Sequence, residues 1–267
     1  MSRIGPPIEV LATSVAAARL ALLGGADRVE LCENDPQGGT TPSAGTIETV
    51  LELAEPHGTP VHVMVRPRGG GFVYDRDEQA TMLRDVATAV RLGAHGLVAG
   101  VVTAEGDVDV DLLQRLISAG SGLSMTFHRA VDIARNIEVA VEMAFGLGCD
   151  RVLTSGGAPR AADGAAMLAR LVGNAPDGRI VMAGGGITAD TARDLVADTL
   201  VPEIHVSARG YRTNGASPSP SGMVGVTAGP GPSWPVNGWP APDIEQLARI
   251  REALVDVAPS GRFGGAT

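Results

Sequence analysis

Cysteine is scarce in this chain: Cys32 and Cys149 are its two thiols in 267 residues. That count excludes a disulfide framework and any CxxC metal box, and it suits a reducing compartment. Long apolar runs are missing too, since none approaches the roughly 20 residues of a membrane-spanning helix. The N-terminal MSRIGPPIEV lacks a charged start followed by an apolar stretch of signal-peptide length. The expectation is a soluble, cytoplasmic protein with no membrane partner. Positive charge is also in short supply: the formal net charge is -9 and the pI about 5.0. A nucleic-acid partner is therefore not expected, because phosphate backbones are bound by clustered Lys and Arg. A small anionic ligand stays open, because its recognition is decided locally. Finally, the first strand is followed by ATSVAAA rather than a glycine-rich turn, which argues against an open, doubly wound nucleotide-binding sheet.

What the chain does have is alternation. Short β-branched strands are predicted at residues 8–11, 28–32, 61–66, 96–99, 124–128, 151–154, 180–183 and 203–207, separated by segments with apolar residues at helical spacing. Three junctions look alike: GGADRVEL, LGAHGLVAG and LGCDRVLTSG. In each, a helix ends at Gly, which tolerates the left-handed C-cap conformation, and a strand starts a few residues later. Eight strand–helix units in a chain of this length predict one α/β domain, a TIM (β/α)8 barrel over 1–267, with its functional groups at the carboxyl ends of the strands. A Gly/Pro/Ser-rich loop at 210–241 is expected to be an unstructured insert carrying Trp234 and Trp239. A closing helix is expected over 243–257.

Period-two alternation sorts the strand side chains into an inner and an outer face. It points Glu9, Leu11, Glu30, Cys32, His62, Met64, Arg66, Ser124, Thr126, His128, Glu203, His205 and Ser207 into the barrel, an unusually polar interior. Buried charges of this kind must be paired or must meet a ligand. Glu30, Arg66, His128 and His205 are the candidate catalytic residues. Glu30 and Arg66 read either as a bracing ion pair or as part of a site. His62, near the start of its strand, is expected to make a structural hydrogen bond, while His57 and His95 fall in turns. The glycines of AGGGIT, Gly184, Gly185 and Gly186, follow the seventh strand and open a helix, so their N–H groups can converge on an anion. Ser207 and Arg209 after the eighth strand, Arg68 beside the RPRGGG loop, and Arg129 beside His128 complete the candidate anion-binding set.

The motifs GGADRVELC, GGTTPS, RPRGGGFVY, TFHRAVD, RVLTSGG, GGGIT and HVSAR occur in this order from about Glu9 to Arg209. In them the chain resembles the CutC family, proteins named for copper homeostasis. That resemblance implies a TIM barrel, a cytoplasmic location and copper ion binding in copper homeostasis. Glu30, Cys32, Arg66, His128, Arg129, Ser207 and Arg209 fall on the shared motifs. Leu11 and Val206 stand where many members have Cys. Copper(I) prefers thiolate and thioether donors, and the inward soft donors here are Cys32 and Met64, with Met182 assigned to the outer face. Cys32 is therefore a weak metal candidate. Two functions are expected: a copper-binding protein following the family, or an enzyme acting on a small anionic or phosphorylated metabolite. In the second, Arg66 and the glycines hold the anion and Glu30 and His128 form the acid–base pair. A homo-oligomer is open to either.

Overall fold

The computed structural model describes residues 5–213 and 238–257. Eight parallel strands close into a barrel in chain order: β1 (Ile8–Ala12), β2 (Arg28–Leu31), β3 (Val61–Met64), β4 (Gly96–Ala99), β5 (Ser124–Phe127), β6 (Arg151–Thr154), β7 (Ile180–Gly184) and β8 (Glu203–Val206). Around them run α1 (Val15–Leu23), α2 (Ala44–Ala54), α3 (Arg76–Leu92), α4 (Val110–Ala119), α5 (Ile137–Leu147), α6 (Ala165–Asn174), α7 (Ala189–Thr199) and α8 (Ile244–Ala253). The outer layer is apolar: Val10, Val29, Val61, Val63, Leu97 and Phe127 are fully buried. They pack with Met82, Leu113 and Leu168 of the helices in one core.

The three look-alike junctions are one device used three times. After α1, α3 and α5 a glycine takes a left-handed conformation, at Gly25 (φ +76°), Gly93 (φ +87°) and Gly148 (φ +116°). The next amide then closes back onto the helix: Ala26 N–H donates to Ala21, Ala94 to Ala89 and Cys149 to Ala144, each at 3.0 Å. The residue after that donates forward to the preceding strand, Asp27 to Ile8, His95 to Val61 and Asp150 to Met125. Each helix therefore hands the chain to the base of its strand without slack.

The expected strands shorten at their upper ends. β3 stops at Met64 and β5 at Phe127, so Arg66 and His128 lie just past their strands at the barrel mouth. The 210–241 segment is not wholly irregular: β9 (Arg209–Thr213) pairs antiparallel with β10 (Gly238–Pro242), Thr213 opposite Gly238. Trp239 lies on β10, and Trp234 lies outside the described residues. The closing helix is α8, shorter than the expected 243–257. Asp243 is its N-cap and accepts from Glu245 N and Gln246 N.

Interior glycines on β4 make room for imidazoles. A Cβ on Gly96 would come within 2.5 Å of the His62 ring, and one on Gly100, just past the strand, within 2.2 Å of the His128 ring. The wall is thinned where the ring inside it is thick.

Replacing Gly148 by Ala should lower stability by about 1–2 kcal/mol, the cost of a left-handed L-residue, visible as a lower urea midpoint at unchanged m-value. Ala at Gly146 inside α5, where a Cβ meets nothing within 4 Å, should be neutral or stabilising.

Candidate functional site

The floor of the barrel interior is a ladder of charges. Arg28 donates through Nε to Glu9, and through Nη2 to Glu203 Oε2 at 2.6 Å and to Met182 Sδ at 3.2 Å. Arg151 Nε reaches the same Glu203 oxygen at 2.7 Å. All four charged residues are buried. Met182, expected outside, faces in, because period two on β7 places it level with these side chains. Arg28 and Arg151 open their strands, where a charge reads as a solvated strand start. The signal that would have found Arg28 is that it stands two residues before inward Glu30.

Above the floor, β1, β2 and β8 bring Glu9, Glu30 and His205 together. Register places Glu9 opposite His205 and Leu11 opposite Glu30. His205 Nδ1 lies 2.7 Å from Glu9 Oε1 and 3.3 Å from Glu30 Oε2. Burial alone would raise the Glu9 carboxyl, but Arg28 and His205 outweigh it and hold Glu9 well below the usual carboxylate range. Glu30 lacks that compensation: burial pushes it up to about 7, against the pull of His205 and reinforced by the charge of Glu9. Its Oε1 is buried with no partner. Burial disfavours the His205 imidazolium, yet Glu30 and Glu9 together raise its pKa overall. The Glu30 side chain is 3% exposed and that of His205 12%, so the imidazole is the member of the pair nearer solvent.

A second group forms after β3 and β5. Arg66 does not pair with Glu30, contrary to one expectation. Its Nη1 donates to the carbonyls of Gln37 (2.9 Å) and Gly39 (2.8 Å) and its Nη2 to Gly70 (2.7 Å). Standing past the strand end, the guanidinium turns up into loop carbonyls instead of down toward Glu30. It also lies 4.8 Å from the Phe72 ring centroid. His128 packs against the other side of this group, its ring 4.9 Å from Phe72. Its Nδ1 accepts from Ala130 N–H at 3.1 Å. Burial, aided by Arg66, pushes its pKa down to about 3. The expected Glu30–His128 acid–base pair is thus corrected: the imidazole beside Glu30 is His205, and His128 is neutral. His62 is likewise neutral, pushed down to about 3 by burial, and its Nδ1 has no partner in place of the structural hydrogen bond expected. His95 Nδ1 accepts from Val61 N–H.

The expected anion set divides. Arg129 is fixed by Asp132 (Nε to Oδ2, 2.8 Å) and Ser155 Oγ (2.8 Å), with its side chain 41% exposed. Gly185 (φ +113°) stands beside it, a Cβ there meeting Arg129 Nη1 at 3.2 Å, whereas Gly186 (φ +68°) stands beside Arg160. Asp132, missed in the TFHRAVD motif, also accepts from the N–H groups of Ser155 and Gly157 and so ties this corner together. Gly184 instead makes room for Leu153, whose Cδ1 a Cβ would meet at 2.5 Å. Arg68 is committed to Glu78 at 2.5 Å. Arg209 pairs with Asp35 at 2.6 Å, and it shares a small recess with Ser207, Leu11 and Pro242.

Soft metal donors are few. Cys32, Met64, Val98 and Leu11 form an apolar cluster of their own, and burial pushes the Cys32 thiol far above its usual range. Cys149 sits at the opposite end of the barrel, before β6, and burial pushes it up to about 12. The Met182 sulfur is engaged by Arg28. Glu9, Glu30 and His205 offer ligand atoms within 4.8 Å of one another, but these are oxygen and nitrogen donors. Among the described residues, the donors gathered in the barrel do not fit copper(I).

The class defined by this architecture is a TIM barrel with a polar mouth, and comparison with known proteins narrows it. The sequence model of the CutC family matches residues 7–210. A family protein CutC of Bacteroides thetaiotaomicron is 45% identical over 75% of this chain and 80% of its own length. One from Pasteurella multocida is 40% identical over 77% and 83%. A crystal structure titled as the putative copper homeostasis protein CutC from Streptococcus agalactiae superposes with a TM-score of 0.73 at 31% identity, covering 76% of this chain and 98% of that one. This chain belongs to the CutC family. A thiamine phosphate pyrophosphorylase from Pyrococcus furiosus, at TM-score 0.59 and 17% identity over 96% of this chain and 98% of that one, shares the fold. No helix among the described residues is long and apolar enough to cross a membrane.

Because Glu30 titrates higher folded than unfolded, the folded state holds its proton where the unfolded chain has lost it. The contribution of Glu30 to stability should fall as pH rises from about 4.5 to about 7; the raised His205 acts in the same direction above its ordinary 6.5, while His62 and His128, which fold neutral, act in the opposite direction between about 3 and 6.5. Glu30→Gln should therefore stabilise the protein by more than about 1 kcal/mol at pH 8, one pKa unit being about 1.4 kcal/mol. The gain should shrink at pH 5, in urea titrations at both pH values.

Proposed function

We propose that this chain is an acid–base enzyme acting on a small anionic or phosphorylated molecule at the barrel mouth. The observation that carries the reading is the Glu30–His205 pair. A carboxyl raised to about 7 lies 3.3 Å from an imidazole whose pKa is also raised. The two can share a proton near neutrality, the condition for general acid–base catalysis. Glu9, kept ionised by Arg28, lies 2.7 Å from the same His205 Nδ1, so it holds the ring beside Glu30 and favours the imidazolium. Arg129 beside Gly185 supplies the cationic corner where an anionic group would rest. All 21 basic residues of the chain are arginine, so a lysine Schiff base is closed to it and proton transfer remains the chemistry on offer.

A role in copper homeostasis, which the Streptococcus agalactiae title names for that protein, would here rest on Cys32 and Met64. Their apolar setting and the protonated thiol speak against copper(I) as a tight ligand. Protein loaded with one equivalent of copper(I) should surrender it to bathocuproine, and Cys32→Ala should behave identically. Stoichiometric retention that Cys32→Ala abolishes would replace the enzyme reading by the copper one.

The enzyme reading is checked by incubating the protein in D2O with a panel of phosphorylated sugars and 2-oxo acids and following deuterium uptake by mass spectrometry. Exchange into at least one compound is expected, reduced by about 100-fold or more in Glu30→Gln and His205→Asn, the scale of general acid–base contributions. Arg129→Ala should raise KM more than it lowers kcat. Exchange that both Glu30→Gln and His205→Asn leave intact would sink the assignment.

A further inference from the structure

The second group at the mouth, His128 with Arg66 and Phe72, is not used by the Glu30–His205 pair and has its own chemistry. His128 Nδ1 accepts the Ala130 amide hydrogen at 3.1 Å, so it carries no proton. A neutral ring in that position must be protonated at Nε2. That N–H is buried and has no partner, a deficit of about 1–3 kcal/mol that folded proteins rarely leave unfilled. One residue pair deeper on the same inward face, the fully buried Thr126 hydroxyl is also without a partner. The ring cannot rotate away to find one, because it is seated on Gly100, where even a Cβ would come within 2.2 Å. Arg66, anchored by three carbonyls and with Nε–H unbonded, adds positive charge beside it. The Tyr74 hydroxyl stands near that guanidinium. Among the described residues, Asp132 is the acidic group acting on the ring, more weakly than Arg66. Half-buried Phe72 lies over both His128 and Arg66 and arrives from the glycine-rich loop 69–71.

We infer that His128 is a neutral hydrogen-bond donor which, beside Arg66 and beneath Phe72, receives a carbonyl or carboxylate oxygen of the ligand. This deepens the acid–base reading and rests on it for catalysis. A base at Glu30–His205 with a donor pair elsewhere at the mouth is the division of labour needed to remove a proton next to a carbonyl, the donors taking the negative charge that forms on oxygen. The substrate class is then a 2-oxo acid or a ketone bearing an anionic group. Phe72 acts as the cover that moves to admit the oxygen.

Protein labelled with 15N-histidine tests this, with oxalate as the probe because it resembles the enolate of a 2-oxo acid. Long-range 1H–15N spectra should show His128 as the Nε2–H tautomer, unchanged from pH 8 to pH 5. Oxalate should move its Nε2–H proton downfield. Oxalate affinity should fall about tenfold or more in His128→Ala, the worth of a hydrogen bond to a charged group. It should fall less in His128→Asn, which keeps a donor, and Phe72→Ala should speed association. An Nδ1–H tautomer, an imidazolium at pH 6, or a His128 signal indifferent to oxalate overturns the inference. Because these readouts need no turnover, a failure of deuterium exchange with the tautomer and oxalate responses intact would sink the acid–base reading and leave the subsite standing.

Discussion

Two glutamates on the neighbouring strands β1 and β8, Glu9 and Glu203, are bridged by Arg28 at the barrel floor. Everything above depends on that arrangement. Glu9 and Glu203 could not be carried into the interior unpaired, since removing one partner from a buried ion pair costs about 3–5 kcal/mol. Arg28 bonds both, and Arg151 returns to Glu203. Arg28 is spent on Glu9 and Glu203, so Glu30 gains too little from it and from His205 to offset its burial. That is why one carboxylate, Glu9, is ionised and its neighbour, Glu30, is poised. Two residues of the same type, one strand apart, acquire opposite behaviour because one of them touches the arginine.

The mouth is correspondingly divided. On the side of β1, β2 and β8 stand groups that can exchange a proton. On the side of β3 and β5 stand Arg66 and neutral His128, which offer hydrogen-bond donors, with Cys32, Met64, Val98 and Leu11 clustered apart as an apolar patch. The third corner, Arg129 with Asp132, Ser155 and the Gly185–Gly186 turn, is built from the ends of β5, β6 and β7. A family whose name comes from copper is thus represented here by a chain whose interior is arranged for oxygen and nitrogen chemistry, with its thiols shut in apolar surroundings.

Much of this was legible in the sequence because strands alternate and glycines cap helices. Period two placed Glu9, Glu30, His205 and Thr126 inside, and the repeated Gly junctions located the barrel's helix-to-strand turns. What alternation does not encode is how far past its strand a residue stands. Arg66 and His128 continue the inward phase of β3 and β5, but they lie beyond the last ladder bonds, where loop carbonyls and the Ala130 amide compete for them. Their expected partnership with Glu30 was lost for that reason. Arg28 and Arg151 were overlooked from the other end: a charge opening a strand looks like a boundary, and only the three-dimensional closure of the barrel turns it toward an acid on a distant strand. The ends of the 210–241 segment escaped notice because GWPAP, with two prolines, does not resemble a strand; an edge ribbon tolerates proline as a barrel strand does not.

That ribbon has a practical corollary. By holding Thr213 opposite Gly238, it closes the chain on either side of residues 214–237 into a neck, so the entropy of whatever length lies between is settled before the barrel is reached. Sequence inserted or deleted there should leave the eight-stranded wall unaware of the change. The neck is thus a natural graft point for a tag or a second domain, on a ribbon packed beside β1 and α1.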